Sequence, residues 1–220
     1  MNVKTAVIAI DGPSASGKSS TAREVAARLG LVHLDSGALY RLVTMVALRS
    51  RLRDPGAIVA ALDRHQVGLS RNGNSTLLSI DGEDAEPEIR SPAVTAAVSD
   101  IAAMREVRDW VNQRLRAAAA EWGRVVMDGR DIGTDVFPDA ELKIYLTATA
   151  EERARRRLRQ VGRDIDADAV AMEAGELAER DRRDAARDVA PLRQAEDALL
   201  LDTTTMTFEE QVGWIVARAS

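Results

Sequence analysis

Apolar residues along the 220-residue chain recur with two different periods, and these periods predict strands that alternate with helices. Short, continuous apolar runs are typical of buried parallel strands, and they occupy 6–10, 31–35, 124–128, 142–146 and 199–201. Between these runs the spacing becomes helical, as at Ala22, Val25, Ala26 and Leu29 before a terminating Gly30. The order predicts an α/β fold in which five parallel strands form a sheet flanked by helices, with right-handed crossovers.

One region breaks this alternation. Val67 and Leu69 alternate with polar residues, a turn follows at 72–74, and Leu78 and Ile80 alternate again. This pattern predicts a β-hairpin, so we expect residues 63–97 to form a small antiparallel β insertion on the main sheet. Such an insertion can grip a substrate or be a surface loop without a role. A long helical region is then expected from Ser91-Pro92 to Gly123.

Helix starts are marked by residues whose side chains can cap free backbone N–H groups. We expect Ser36 to cap the helix that follows the second strand, and Asp54 to cap the next helix. Threonine and glutamate three residues apart predict capping boxes at Thr149 with Glu152 and at Thr207 with Glu210. His33, inside the second strand, is interpreted as a core or edge residue without a chemical role.

Composition narrows the class of protein. A net charge of −5 and an isoelectric point near 5.2 argue against nucleic acid or a membrane surface as the main partner. The chain contains no cysteine, which excludes disulfides and thiolate chemistry. Its first residues lead directly into a strand, without room for a signal peptide, and no apolar run reaches membrane-spanning length. We therefore expect a soluble, cytoplasmic protein that acts as a monomer on small molecules.

The strongest motif lies between the first strand and the first helix, where the sequence fits G-x-x-x-x-G-K-[ST]. In such a P-loop the glycines and the helix N-terminus direct backbone N–H groups at a polyphosphate, so we expect ATP to bind here. Lys18 would reach the β- and γ-phosphates, and Ser19 would offer its hydroxyl to Mg²⁺. The predicted ATP-binding residues are Gly12, Pro13, Ser14, Ala15, Ser16, Gly17, Lys18, Ser19 and Ser20.

Charged residues follow the third apolar strand. That strand ends in Asp128, which we expect to order the water around Mg²⁺ together with Ser19. Arg130 and Asp131 come directly afterwards, at the edge of a parallel sheet where ligands bind, although a surface ion pair would also account for them. Arginine is concentrated again at 153–163, where a solvated helix face balanced by Glu151 and Glu152 explains part of the cluster.

Taken together, these residues resemble the bacterial cytidylate kinases, a branch of the P-loop nucleoside monophosphate kinases. The matching segments are 11–14 with 17–19, 34–41, 82–84 with 88–90, 128–134, 136–140, 151–153 and 179–181 through 189–192. The resemblance implies a P-loop core over 1–62 and 98–220, a helical lid at about 151–166, and a nucleoside-monophosphate-binding insertion over 63–97.

The resemblance also implies roles for individual residues. Ser36, Arg41, Arg130 and Arg187 would grip the acceptor phosphate. Ser99, Arg108 and Asp131 would read the cytosine edge, and Arg180 with Asp184 would contact the sugar and phosphate of the nucleotide. A carboxylate can accept a hydrogen bond from the amine of cytosine and disfavours uracil, which has an acceptor there. The catalytic cations would be Lys18, Arg130, Arg153 and Arg157.

The resulting hypothesis is transfer of the γ-phosphoryl group of MgATP to CMP, and to dCMP as well. An ionised acceptor phosphate needs no general base, so catalysis would come from alignment and from surrounding cations. Two alternatives stay open at this point: a P-loop kinase for another small acceptor, such as shikimate or another nucleoside monophosphate, and a nucleotide-binding regulatory switch.

Overall fold

The computed structural model describes residues 6–219, and its elements follow the predicted alternation. The strands are β1 (Ala6–Asp11), β2 (Val32–Asp35), β3 (Val67–Asn72), β4 (Ser75–Ile80), β5 (Glu83–Asp84), β6 (Arg124–Gly129), β7 (Leu142–Thr147) and β8 (Leu199–Asp202). The helices are α1 (Lys18–Leu29), α2 (Ser36–Arg49), α3 (Pro55–Leu62), α4 (Glu86–Ile89), α5 (Pro92–Ile101), α6 (Arg105–Trp122), α7 (Ala150–Val161), α8 (Ala167–Ala185) and α9 (Phe208–Ala219). A π-helical turn covers Ile132–Val136.

The five predicted parallel strands are confirmed, and they lie side by side in the order β2-β6-β1-β7-β8. The register pairs Asp128 with both Ile10 and Asp35, so β1, β2 and β6 end at the same level. Because their carboxyl ends meet, the loops that follow these three strands are brought together at one edge of the sheet.

The predicted hairpin is also confirmed, with β3 and β4 joined across Gly73 and Asn74. It does not stand apart from the main sheet. Strand β4 continues the sheet beyond β2 through the pair His33 and Ser75, and β5 adds a short strand to β4. The predicted division at residue 97 lies inside α5, and the predicted segments 1–5 and 220 lie outside the described residues.

Helices cover both faces of the sheet. One core packs α2, α3, α5 and α6 against it, and includes Leu39, Leu42 and Leu115. The other packs α1 and α9, with Val25 and Ile215 at the contact. A third, small cluster of Ala154, Leu158, Val170 and Leu177 joins α7, which occupies most of the lid predicted at 151–166, to α8, which begins just beyond it. These two helices, α7 and α8, are here called the lid helices.

Several helix ends differ from expectation. Asp35, and not Ser36, caps α2, since its carboxylate accepts the N–H of Ala38 at 2.9 Å. Asp54 caps α3 as predicted. The box at Thr207 and Glu210 is complete, with a bond in each direction. At Thr149 only half of the box forms, because the Glu152 carboxylate binds Arg156 instead of reaching back.

Across the residues that are described, no helix is long and apolar enough to cross a membrane.

Candidate active site

The phosphate-binding loop connects β1 to α1, and its backbone conformation requires glycine at two points. A Cβ on Gly12 would lie 2.0 Å from the carbonyl oxygen of Leu146 in β7, so only glycine lets the loop pass this strand. Gly17 has a φ of 94°, in the left-handed region that favours glycine, and α1 begins at the next residue. Ala15 is left-handed as well, with a φ of 57°.

Lys18 is folded into the loop. It is buried, and its Nζ donates to the carbonyl oxygen of Pro13 at 2.6 Å and to Oγ of Ser16 at 3.3 Å. Burial holds the pKa of the Lys18 ammonium well below its usual range, and the nearby positive charge of Arg130 adds to the effect. Because the hydrogen-bond partners of Lys18 are neutral oxygens, its side chain is available to bind an anion that enters the loop.

Ser19 and Asp128 meet as predicted. The Ser19 hydroxyl donates to Oδ2 of Asp128 at 2.6 Å, which places an oxygen pair beside the loop. Mg²⁺ in kinase sites is held by one or two such protein oxygens together with substrate phosphates. The pair fits this use, and within the described residues no group of three or more His, Asp or Glu side chains forms a complete metal site.

The role of His33 was missed by the sequence interpretation. Its ring is buried, and Nε2 lies 2.7 Å from Oδ1 of Asp128, so both oxygens of that carboxylate are held. Burial lowers the pKa of His33, but the bond to Asp128 and its charge outweigh burial and raise the pKa overall. The sequence could not indicate this contact, because His33 and Asp128 come together only when β2 and β6 are neighbours in the sheet.

A single cavity of about 580 Å³ extends from the phosphate loop across the edge of the sheet. The loop residues that line it are Ser14, Ala15, Gly17, Lys18, Ser19 and Ser20. Three other residues that were predicted to bind ATP do not line it: Gly12, Pro13 and Ser16. At the opposite end the cavity is lined by all of the predicted substrate-binding residues, namely Ser36, Arg41, Ser99, Arg108, Arg130, Asp131, Arg180, Asp184 and Arg187.

The predicted phosphate grip is held in place by acids and neutral oxygens. Asp184 is buried and accepts from Nε of Arg130 at 3.2 Å and from Nη2 of Arg187 at 2.5 Å. Nη2 of Arg130 also donates to Oγ of Ser14 at 3.0 Å, which ties the two ends of the cavity together. Arg41 donates to Oγ1 of Thr95 at 2.8 Å.

Arg180 differs from these arginines. Its Nε is buried and has no hydrogen-bond partner among residues 6–219. Burial, together with the positive charge of Arg130, lowers the pKa of the Arg180 guanidinium to about 10. A half-buried guanidinium whose buried Nε has no partner is unfavourable in the free protein, so this position is suited to an anionic ligand.

The predicted base-reading residues are together on one wall. Nη2 of Arg108 donates to Oδ2 of Asp131, with both side chains buried, and Nη1 donates to the carbonyl oxygen of Ala102 at 3.0 Å. Burial raises the pKa of the Asp131 carboxyl, and the Arg108 charge offsets part of this rise. Ser99 lies on the same wall, and the Arg108 guanidinium is 5.3 Å from the centre of the Tyr40 ring.

The lid arginines are distributed differently from the prediction. Arg157 lines the cavity, where Nη1 donates to Gln160. Arg153 was expected beside the transferring group, but it is buried behind the phosphate loop and is not one of the cavity-lining residues of the described chain. It binds Asp181 and the carbonyl oxygen of Ser14. Arg156, which received no role, lines the cavity and binds Ser16 and Thr203.

A P-loop motif between the first strand and the first helix, an arginine-lined cavity beside it and a parallel α/β sheet flanked by helices are the features of a P-loop kinase. The comparisons with known proteins give the family. The chain matches the cytidylate kinase family over residues 8–220, and it belongs to that family.

Curated relatives agree over almost the whole chain. A cytidylate kinase of Nocardia farcinica is 46% identical, with 94% of this chain and 90% of the relative covered. A cytidylate kinase of Lactococcus lactis is 44% identical over 99% of this chain and 98% of the relative. Among solved structures, an uncharacterized protein of Eubacterium ventriosum is similar with a TM-score of 0.54 and 10% identity, each chain being covered to 97%, which supports the fold alone.

Proposed function

We propose that this protein transfers the γ-phosphoryl group of ATP, as its Mg²⁺ complex, to CMP and dCMP, giving ADP and the corresponding diphosphate. The observation that carries the proposal is the single cavity that joins the phosphate loop to the arginine-lined wall. Both anions would enter the same cavity, and cations from each side would reduce their repulsion.

One residue, Arg130, bridges the donor and acceptor ends. Arg130 contacts Ser14 of the loop on one side and Asp184 of the acceptor wall on the other. Lys18 would release Pro13 and bind the β- and γ-phosphates. The attacking oxygen belongs to an ionised phosphate, so alignment and positive charge from Lys18, Arg130 and Arg157 would supply catalysis.

Mg²⁺, when bound, would neutralise charge on the phosphates of ATP. Ser19 and Asp128 are the residues that would hold it. His33 contributes by holding Asp128 through the oxygen that Ser19 does not use.

Recognition of the base would depend on Asp131. Arg108 binds Oδ2 of this carboxylate, and Oδ1 takes no part in that bond. A carboxylate facing the cavity can accept from the exocyclic amine of cytosine, and it repels the carbonyl oxygen of uracil at the same place. Arg180, Arg187, Arg41 and Ser36 would then surround the phosphate of the nucleotide.

The test is a panel of acceptors supplied to the purified protein with MgATP, with ADP and the phosphorylated product followed by chromatography. We expect CMP and dCMP to be consumed well ahead of UMP, AMP and shikimate. Consumption of another acceptor with CMP untouched would overturn the proposal in favour of a different small-molecule kinase. ADP formed at the same rate without any acceptor would favour a regulatory switch.

Cytoplasmic location and action as a monomer stay predictions from the sequence. Sedimentation of the purified protein with and without nucleotides would test the second of these directly.

A further inference from the structure

Both backbone polar groups of Ser14, in the phosphate loop, are hydrogen-bonded to side chains of the lid helices α7 and α8. Its N–H donates to Oδ1 of Asp181 in α8 at 2.8 Å. Its carbonyl oxygen accepts from Nη1 of Arg153 in α7 at 2.9 Å. Nη1 of Arg153 also donates to Oδ2 of Asp181 at 2.5 Å, so three groups close a triangle.

The residues next to Ser14 are held from the same side. Arg156 of α7 donates to the carbonyl oxygen of Ser16 at 3.2 Å. Between these two anchored carbonyls lies Ala15, whose left-handed φ of 57° is unfavourable for a residue with a Cβ. The methyl group of Ala15 packs against the cluster that contains Ala154, Leu158 and Leu177 of the lid.

Charge alone does not explain an aspartate at this place. A carboxylate next to a loop that receives phosphates repels them, so removing Asp181 would strengthen phosphate binding if charge were its only effect. Neither Arg153 nor Asp181 is among the residues that line the cavity, and the two form an ion pair with each other. Both side chains are therefore placed to act on the shape of the loop and not on the ligand.

We propose that Asp181 and Arg153 are positioning residues that hold Ser14 and Ala15 in the conformation that receives the phosphates of ATP. The inference rests on the proposed function only in that the loop binds ATP. It assigns Arg153 a role through the backbone of Ser14, in place of contact with the transferring group. It also makes the lid and the loop mutually dependent, since each holds the other.

The experiment measures binding of the non-hydrolysable ATP analogue AMP-PNP with Mg²⁺ by calorimetry. We expect Asp181→Ala to weaken binding by about tenfold or more, because the Ser14 peptide loses its acceptor and Arg153 its partner. Asp181→Asn keeps an oxygen for the Ser14 N–H, so it should recover at least about threefold of that loss. The KM for CMP should change by less than about twofold in both variants.

Glu179→Ala is the matched control, because Glu179 is a half-exposed acid on the same helix that pairs only with Arg182 and Arg183 in the described chain. This variant should bind AMP-PNP like the parent protein. All measurements are made below the unfolding transition of every variant, recorded by calorimetry, and Arg153→Lys serves as a second probe of the triangle that leaves the acid in place.

Unchanged or tighter binding of AMP-PNP by Asp181→Ala would overturn the inference, as would Asp181→Asn binding no better than Asp181→Ala. The binding assay needs no acceptor, so it is informative even if CMP proves not to be the substrate. If the parent protein phosphorylates CMP and Asp181→Ala binds the analogue normally, the inference fails while the proposed function stands.

Discussion

The two ends of the cavity are prepared for anions in different ways. The phosphate loop is nine consecutive residues whose backbone carries most of the binding capacity, and its one cation, Lys18, rests on neutral oxygens. The acceptor wall is built from side chains that come from α2, α5, α6 and α8 and from the segments that follow β6 and α8. Three of its arginines, Arg108, Arg130 and Arg187, are paired with buried acids. Arg41 binds neutral oxygens, and Arg180 has no hydrogen-bond or ion-pair partner among the described residues.

Because of this difference, substitutions at the two ends should affect different properties, the reaction rate at one end and the stability at the other. Changing the charge of Lys18 in the loop should affect the reaction more than the stability, because Lys18 makes no hydrogen bond to a buried acid. Changing a paired arginine on the wall should first affect the stability, because it leaves a buried carboxylate without a partner.

The largest effect is expected at the wall. Arg108→Met leaves Asp131 buried and unpaired, so the free energy of unfolding should fall by about 3–5 kcal/mol in urea titrations. Replacing both partners, as Arg108→Met with Asp131→Leu, should restore most of this loss, since an apolar pair has no charge to bury. Equal loss in the single and double variants would show that packing and not pairing dominates.

At the loop, Lys18→Ala should lower kcat by about 10² to 10³, equivalent to about 3–4 kcal/mol of transition-state stabilisation. The midpoint of thermal unfolding should stay close to that of the parent protein. Lys18 hydrogen-bonds only to neutral oxygens, so its removal leaves no buried acid without a hydrogen-bond partner. A nearly unchanged rate would exclude a catalytic role, and a large loss of stability would contradict the contrast between the two ends.

Asp11 connects β1 to the turn that follows β6, and its contribution to the free energy of unfolding should depend on pH. Its buried carboxylate accepts from the N–H groups of Ile132 and Gly133 at 2.9 and 2.7 Å, and burial raises its pKa from 3.8 to about 6. The folded state therefore binds the proton more tightly than the unfolded state. The stability from this group is complete below pH 3.8 and is lost as pH rises through about 6.

The measurement compares the parent protein with Asp11→Asn in urea titrations from pH 3.5 to 7. The stability of the parent relative to the variant should fall by up to about 3 kcal/mol across this range, from a shift of about two pKa units. A difference that is constant with pH would show that the carboxyl does not titrate as proposed.

The smallest effect is expected at Arg180, the wall arginine without a partner among the described residues. Arg180→Met should raise the KM for CMP by about tenfold, about 1.4 kcal/mol, without lowering the free energy of unfolding, because the cation has no partner to lose. Arg108→Met is the matched comparison, since it makes the same change in a paired residue. Destabilisation of both variants to the same degree would remove the distinction between paired and unpaired arginines.

The sequence predicted the loop end better than the wall, and the reason is physical. The P-loop is a local motif in which neighbouring residues supply the whole phosphate cradle, so spacing alone indicates its function. The wall depends on which strands are neighbours, and no local period contains that information. Only Arg130 and Asp131, which directly follow a strand, were singled out from the sequence pattern, and the other wall residues were predicted through resemblance to a family.

The missed details have the same cause. Periodicity places Arg153 on α7 but does not say that its side chain turns behind the loop toward Asp181. His33 has a chemical role because β2 lies beside β6, an order that the alternation of strands and helices does not specify. Asp35 replaces Ser36 as the cap of α2 because the helix begins one residue earlier than the apolar spacing suggested.

The attachment of the hairpin to β2 restricts how the molecule can flex. Asn74 and Thr76 of the hairpin bond to the backbone of Leu31 and His33 at 2.7 Å, and the N–H of His33 donates to the carbonyl oxygen of Asn74 at 2.8 Å. The hairpin is therefore fixed to the main sheet, because moving it relative to the sheet would break hydrogen bonds to β2, the strand that ends at Asp35.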